Sequence, residues 1–145
     1  MAELVLLKAE DCIPLRREVL RPGRPAKESS YPQDENERST HYGIRQRNKT
    51  LAVISMLHDP RGEIGSEMWR IRGMAVLPEH QRKGHGAMLL KTIQAIVTKR
   101  GGGLWANVRT GVAPFYAAHG FSAEGEEFDL KGIGPHVVMT WRPKP

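Results

Sequence analysis

Apolar positions recur most regularly at residues 89–97. Leu89, Ile93, Ile96 and Val97, with Leu90 beside them, follow the three- and four-residue spacing of one helix face. Lys91, Lys99 and Arg100 fall outside that stripe, and the last two sit where the helix dipole favours cations. The run Gly101-Gly102-Gly103 ends the pattern. Upstream, Glu67 to Leu77 predicts one long strand, with Trp69 and Ile71 on one face and Arg70 and Arg72 on the other. Gly73 breaks this alternation, and an in-strand glycine marks a bulge or a close backbone approach. Downstream, Leu104 to Val108 suits a buried strand. A strand, a crossover helix and a strand make a βαβ unit, so the two strands are expected to be parallel with a right-handed connection.

The flanking elements follow from the same kind of pattern. Leu4 to Leu7 suits a first strand, and Asp11 is a candidate cap for a helix from about Ile13 to Leu20, with Pro14 in its first turn. Residues 21–39 are polar, Tyr31 being their one large apolar side chain. A loop of this length predicts a lid over a site or a surface excursion. Residues 40–46 and 51–57 flank the hairpin turn Arg47-Asn48-Lys49-Thr50, and Asp59-Pro60-Arg61-Gly62 is a second turn. Pro114 and Gly120 bracket a short helix. A final hairpin joins 121–130 to 136–141 through a glycine-rich turn, with Val137, Met139 and Trp141 on one face of its last strand.

Length and composition narrow the class. At 145 residues the chain fits one domain over 1–145, large enough for a core without disulfide or metal. With 39% hydrophobic and 26% charged residues it reads as globular. No apolar run approaches the ~20 residues of a membrane span, and residues 1–8 lack the form of a secretory signal. Cys12 is the only cysteine, which excludes an internal disulfide and suits a reducing, cytoplasmic setting. The net charge is +6, but the basic residues are scattered, so a solvated surface or a phosphate-bearing ligand is favoured over nucleic acid.

Candidate chemistry concentrates at 74–87. The strand ending Met74-Ala75-Val76-Leu77 meets Pro78, then a basic Gly-x-Gly turn opens directly into the amphipathic helix. Gly84 and Gly86 permit close approach to the backbone, and the first helical N–H groups are unpaired at the positive end of the dipole. With Arg82 and Lys83 beside them, this is an anion site suited to a phosphate or pyrophosphate.

The segment Gln81-Arg82-Lys83-Gly84-His85-Gly86 resembles the Gln/Arg-x-x-Gly-x-Gly/Ala pyrophosphate loop of the GNAT superfamily of acyl-CoA-dependent N-acetyltransferases. Some thirty residues on, Asn107 precedes Phe115-Tyr116-Ala117-Ala118-His119-Gly120-Phe121, similar to that family's Phe-Tyr-x-x-x-Gly-Phe motif. The resemblance is carried by residues 67–141. It implies a GNAT-like α/β (α+β) fold: a mixed central sheet with antiparallel N-terminal strands, a parallel βαβ pair splayed at a cofactor cleft, and flanking helices. It implies acetyl-CoA (coenzyme A) as co-substrate, with no metal. The pyrophosphate would rest on the backbone from Arg82 through Lys83, Gly84, His85 and Gly86 to Ala87, with Gln81 assisting. The pantetheine arm would pair with the strand at Met74, Ala75 and Val76, and with Asn107, and Tyr116 would also contact the cofactor.

Direct transfer to an amine of a small molecule or peptide would then use the Val76 N–H at the oxyanion and Tyr116 as proton donor to the departing thiolate. The plain alternative for Tyr116 is a core aromatic. The base that takes the amine proton is left open between Glu67, His41, His136 and water, imidazoles being the side chains that change charge near neutrality. The cluster Asp34, Glu35 and Glu37 is a candidate attractor of a cationic amine. Cys12 has no adjacent base and is not expected to carry a covalent intermediate. The competing readings are a non-catalytic acyl-CoA-binding module on the same fold and a charge-driven nucleic-acid binder. Acceptor identity and a homodimer stay open.

Overall fold

The computed structural model describes residues 1–144. Its strands are β1 (Glu3–Leu7), β2 (Thr40–Gln46), β3 (Lys49–Leu57), β4 (Met68–Val76), β5 (Gly103–Arg109), β6 (Ser122–Leu130) and β7 (Gly134–Trp141). The helices are α1 (Ala9–Leu15), α2 (His85–Arg100) and α3 (Ala113–Ala118). The strands form one mixed sheet in the order β1-β2-β3-β4-β5-β7-β6. Only β4 and β5 run parallel; every other neighbouring pair is antiparallel.

Each sheet face is covered by the helix whose apolar stripe it meets. Leu89, Leu90, Ile93 and Val97 of α2 are fully buried against Ile54, Met56, Ile71, Leu104 and Met139. Removing side chains of this size from water contributes about 1.5–3 kcal/mol each. Cys12 and Leu15 of α1 pack on the opposite face, over Val53, Ala75 and Leu77. A strand sandwiched this way needs apolar side chains on both faces, and β3 is buried from Leu51 to Leu57.

Three local expectations shift. The hairpin turn is the two-residue Arg47-Asn48, both at positive φ (50° and 66°), so β3 starts two residues before the predicted strand. The first helix starts at Ala9, because the Asp11 carboxylate accepts the Lys8 backbone N–H at 3.0 Å and closes the turn from inside. Pro14 is therefore interior, and the helix widens just beyond it into a π-helical turn over Arg16–Leu20.

The third concerns residues 21–39, which are pinned rather than free. Arg16 is fully buried, and its guanidinium donates to both Asp34 carboxylate oxygens (2.8 and 2.9 Å), the Ser29 carbonyl (2.9 Å) and Ser55 Oγ (2.8 Å). His41 bridges Ser55 Oγ at 2.6 Å and the Asp34 carbonyl at 3.0 Å. A buried ion pair persists only when most of its remaining bonding capacity is met, and here both terminal nitrogens of Arg16 are engaged, Nε alone being left without a partner among the described residues. The Asp34 carboxylate is thus a structural anchor, engaged by Arg16 and not free to attract an amine, and His41 has both ring nitrogens engaged.

Candidate active site

β4 and β5 pair only from Met68↔Gly103 to Arg70↔Trp105, and beyond that the sheet divides. The cleft so opened is walled by Ile71–Met74 on β4 and Ala106–Arg109 on β5. Leu20, Arg21 and Tyr31 close one side, and Tyr116, Ile133 and His136 lie on the other.

Gly73 makes the division. The β3–β4 register slips between Val53↔Ala75 and Ser55↔Arg72, which places a bulge at Gly73-Met74. Gly73 has φ +69°, and a Cβ there would stand 2.8 Å from Arg16 Nε and 3.0 Å from the Tyr31 ring. Only glycine satisfies both demands. Tyr31 in turn stacks against two guanidinium groups, with Arg16 4.0 Å and Arg72 3.9 Å from its ring centroid.

Strand parity sets the direction of the β4 backbone. The Leu77 N–H donates to the Leu51 carbonyl at 2.9 Å, so the next pair, Ala52↔Val76, is a non-hydrogen-bonded one. The N–H and C=O of Val76 therefore turn away from β3 and toward the division. Ala75 is reversed: its polar backbone faces β3 and its side chain is buried under α1. That corrects its placement among cofactor-contacting residues.

Across the cleft, Asn107 Oδ1 is buried with no hydrogen-bond partner among the described residues. A buried acceptor left alone costs about 1–3 kcal/mol, so a donor on a ligand is the natural complement. Tyr116 is 6% exposed, held edge-on between Phe115 and Phe121. Burial pushes its hydroxyl well above the ordinary tyrosine range, so the proton is retained. His136 is buried, and its Nδ1 lies 2.8 Å from the Gly134 carbonyl. A carbonyl only accepts, so Nδ1 carries the proton and neutral Nε2 is the basic nitrogen.

Beyond β4, Arg82 and Gly84 both have positive φ (62° and 85°), so the chain turns tightly before it enters α2. The first intrahelical bond of α2 runs from Met88 N–H to Gly84 O, leaving the N–H groups of His85, Gly86 and Ala87 without helical acceptors. No side chain caps this end and no acid lies in its first turn. A Cβ on Gly86 would meet Phe115 at 3.7 Å, Met74 at 3.9 Å and Val76 at 4.0 Å, ordinary contact distances, so this glycine lies at the joint between helix and cleft without being required by space. Gln81 donates from Nε2 to the Val76 carbonyl at 3.0 Å. Its side chain ties the loop to the strand instead of projecting to a ligand.

Residues 9–121 match the Acetyltransferase (GNAT) family. The chain belongs to this family. It is an N-acetyltransferase of the GNAT fold, and the family uses acetyl-CoA and acetylates amines. It is 30% identical over 143 residues to the uncharacterized N-acetyltransferase YitI of Bacillus subtilis, spanning 96% of this chain and 95% of YitI. The fold is similar to that of the ribosomal-protein-S18-alanine N-acetyltransferase from Escherichia coli, with TM-score 0.77, 20% identity and 98% and 94% of the two chains covered. It is also similar to that of an aminoglycoside 6'-N-acetyltransferase complexed with coenzyme A, with TM-score 0.74, 13% identity and 99% of each chain covered. Those two enzymes are named for chemically unlike amines, so shared GNAT architecture leaves the acceptor open.

Glu67 is the sequence candidate that this site does not include. It precedes the paired, closed end of β4, and nine residues of strand, roughly 30 Å, separate it from Val76. Half exposed, it faces Arg142 at 3.6 Å. Tyr31, Arg21 and Arg72 are cleft residues that no motif marked. The available signal was Arg72 itself, an arginine on a central strand where both faces are covered.

Among the described residues no helix is long and apolar enough to cross a membrane, and no cluster of His, Cys, Asp and Glu suits a metal.

Proposed function

We propose that this GNAT enzyme moves the acetyl group of acetyl-CoA directly to a primary amine within one ternary complex, residues 1–145 acting as one catalytic unit. The observation that carries this reading is the divided β4–β5 pair, with the uncapped start of α2 at its mouth. The N–H groups from Arg82 to Ala87, with the side chains of Arg82 and Lys83, would hold the pyrophosphate. Met74 and Val76 would pair with the pantetheine amides along the free edge of β4, and the lone Asn107 Oδ1 would accept from an amide N–H.

Acetyl-CoA, when bound, supplies an acetyl thioester whose C–S bond breaks as the acceptor nitrogen bonds to the acetyl carbon. The Val76 N–H, fixed by strand parity, donates to the carbonyl oxygen as it gains charge. The Tyr116 hydroxyl, protonated throughout the working range, gives its proton to the leaving sulfur. His136 Nε2 receives the proton that the acceptor nitrogen loses. Cys12 takes no part: burial, the largest influence, raises its thiol to about 11, and it packs from α1 onto Val53, Ala75 and Leu77.

The test is to incubate the protein with acetyl-CoA and pooled primary amines and to identify acetylated products by mass. Product formed with matching thiol release supports the reading. Stabilisation by acetyl-CoA without thiol release for any amine would instead mark a non-catalytic binding module.

A further inference from the structure

The acceptor end of the cleft is uniformly basic. Arg21, Arg70, Arg72, Arg109 and His136 line it, and no aspartate or glutamate does. Arg70 is already neutralised, donating to Asp59 at 3.0 Å and stacking on Trp105 at 4.7 Å. Arg72 differs: it is half-buried, stacks on Tyr31, and has no acidic partner among the described residues. The Arg21 guanidinium donates to the Leu20 carbonyl at 2.8 Å and has no acidic partner within ion-pair distance among the described residues. Burial, with Arg70, Arg16 and Arg21 close by, pulls the Arg72 guanidinium below its ordinary range. A desolvated cation among cations is costly unless an anion joins it.

We infer that the acceptor carries, besides its amine, a carboxylate or phosphate that seats against Arg72 and Arg21 beside the Tyr31 ring. This rests on the reading of the cleft as the acyl-transfer site. A planar guanidinium held over an aromatic ring, here 3.9 Å from the Tyr31 centroid, is restricted in motion and suited to meet such a group with two parallel N–H bonds. The same cations disfavour an ammonium and so raise the fraction of neutral amine that attack requires. A polyamine, which brings more positive charge and no anion, meets repulsion alone.

The experiment compares kcat/KM on the intact protein for matched amines. The pairs are an α-amino acid against its amide, and an aminoalkyl phosphate against the aminoalkanol, with a linear polyamine alongside. Heat stability with saturating acetyl-CoA is measured in parallel. One charge-assisted pair predicts a preference of at least about tenfold for an anionic member, and the arm showing it tells carboxylate from phosphate. Arg72→Gln should collapse that ratio while leaving stabilisation by acetyl-CoA, and Arg72→Lys should restore part of it. Stabilisation by acetyl-CoA with ratios near one, a best rate on the polyamine, or no acetylation of either anionic amine overturns this inference alone. Neither stabilisation nor product with any amine overturns the underlying reading as well.

Discussion

Gln81 reaches back five residues and donates its side-chain amide to the Val76 carbonyl at 3.0 Å. Loop and strand are thus one piece: the residue that begins the loop proposed to hold the pyrophosphate also fixes the strand end whose N–H faces the cleft. Gln81→Ala should free the two from each other. A net hydrogen bond of about 0.5–1.5 kcal/mol predicts an acetyl-CoA KM some two- to tenfold higher, with kcat changed less. Steady-state kinetics check this, and an unchanged KM would show that the link is incidental.

The buried Arg16–Asp34 pair should dominate how the protein responds to acid. Burial alone would raise the Asp34 carboxyl, but bonds from Arg16 and the Tyr31 N–H, with the Arg16 charge, outweigh it and hold the carboxyl below its ordinary range. A depressed folded value contributes stability that is complete above the unfolded value of about 3.9 and is lost as pH falls through the lower, folded one. Asp34→Ala leaves Arg16 buried and unpaired and should cost about 3–5 kcal/mol at neutral pH. Urea unfolding of both proteins from pH 7 to 3 should show the difference narrowing toward low pH; a constant difference would contradict the account.

Cys12 is fully buried, with its thiol raised to about 11 by burial, so almost no thiolate exists at pH 8. Alkylation of the folded protein should be slow and should accelerate on unfolding. Cys12→Ala should leave kcat unchanged, because direct transfer needs no acyl-cysteine. Trapping of an acetylated Cys12 would contradict this.

The parts of the fold that follow from local chemistry were legible in the sequence. The α2 stripe, the Gly-x-Gly start and the strand–helix–strand order each rest on neighbours in sequence, and they led to the right family. The bulge at Gly73 was legible because a glycine interrupting an alternating strand has few other meanings. What escaped depended on distant partners. Asp34 read as part of an acidic cluster and Arg16 carried no local signal, and only the fold brings them together across eighteen residues to pin the 21–39 segment. Glu67 looked well placed because it begins the right strand, but its distance from the division depends on where β4 and β5 part. The direction of the Val76 N–H depends on register with β3, which hydrophobic pattern alone does not give.

The role of Tyr116 tests the central claim most directly. Phenylalanine keeps the ring between Phe115 and Phe121 and removes only the hydroxyl, so the fold should be retained. In Tyr116→Phe, kcat should fall about a hundredfold or more, the usual worth of a positioned proton donor. The acetyl-CoA dissociation constant, measured by titration on the same preparation, should stay within about twofold of wild type, since the hydroxyl acts on the sulfur as its charge develops and not on the intact thioester. An unchanged kcat with intact acetyl-CoA binding would contradict direct transfer with Tyr116 as the acid.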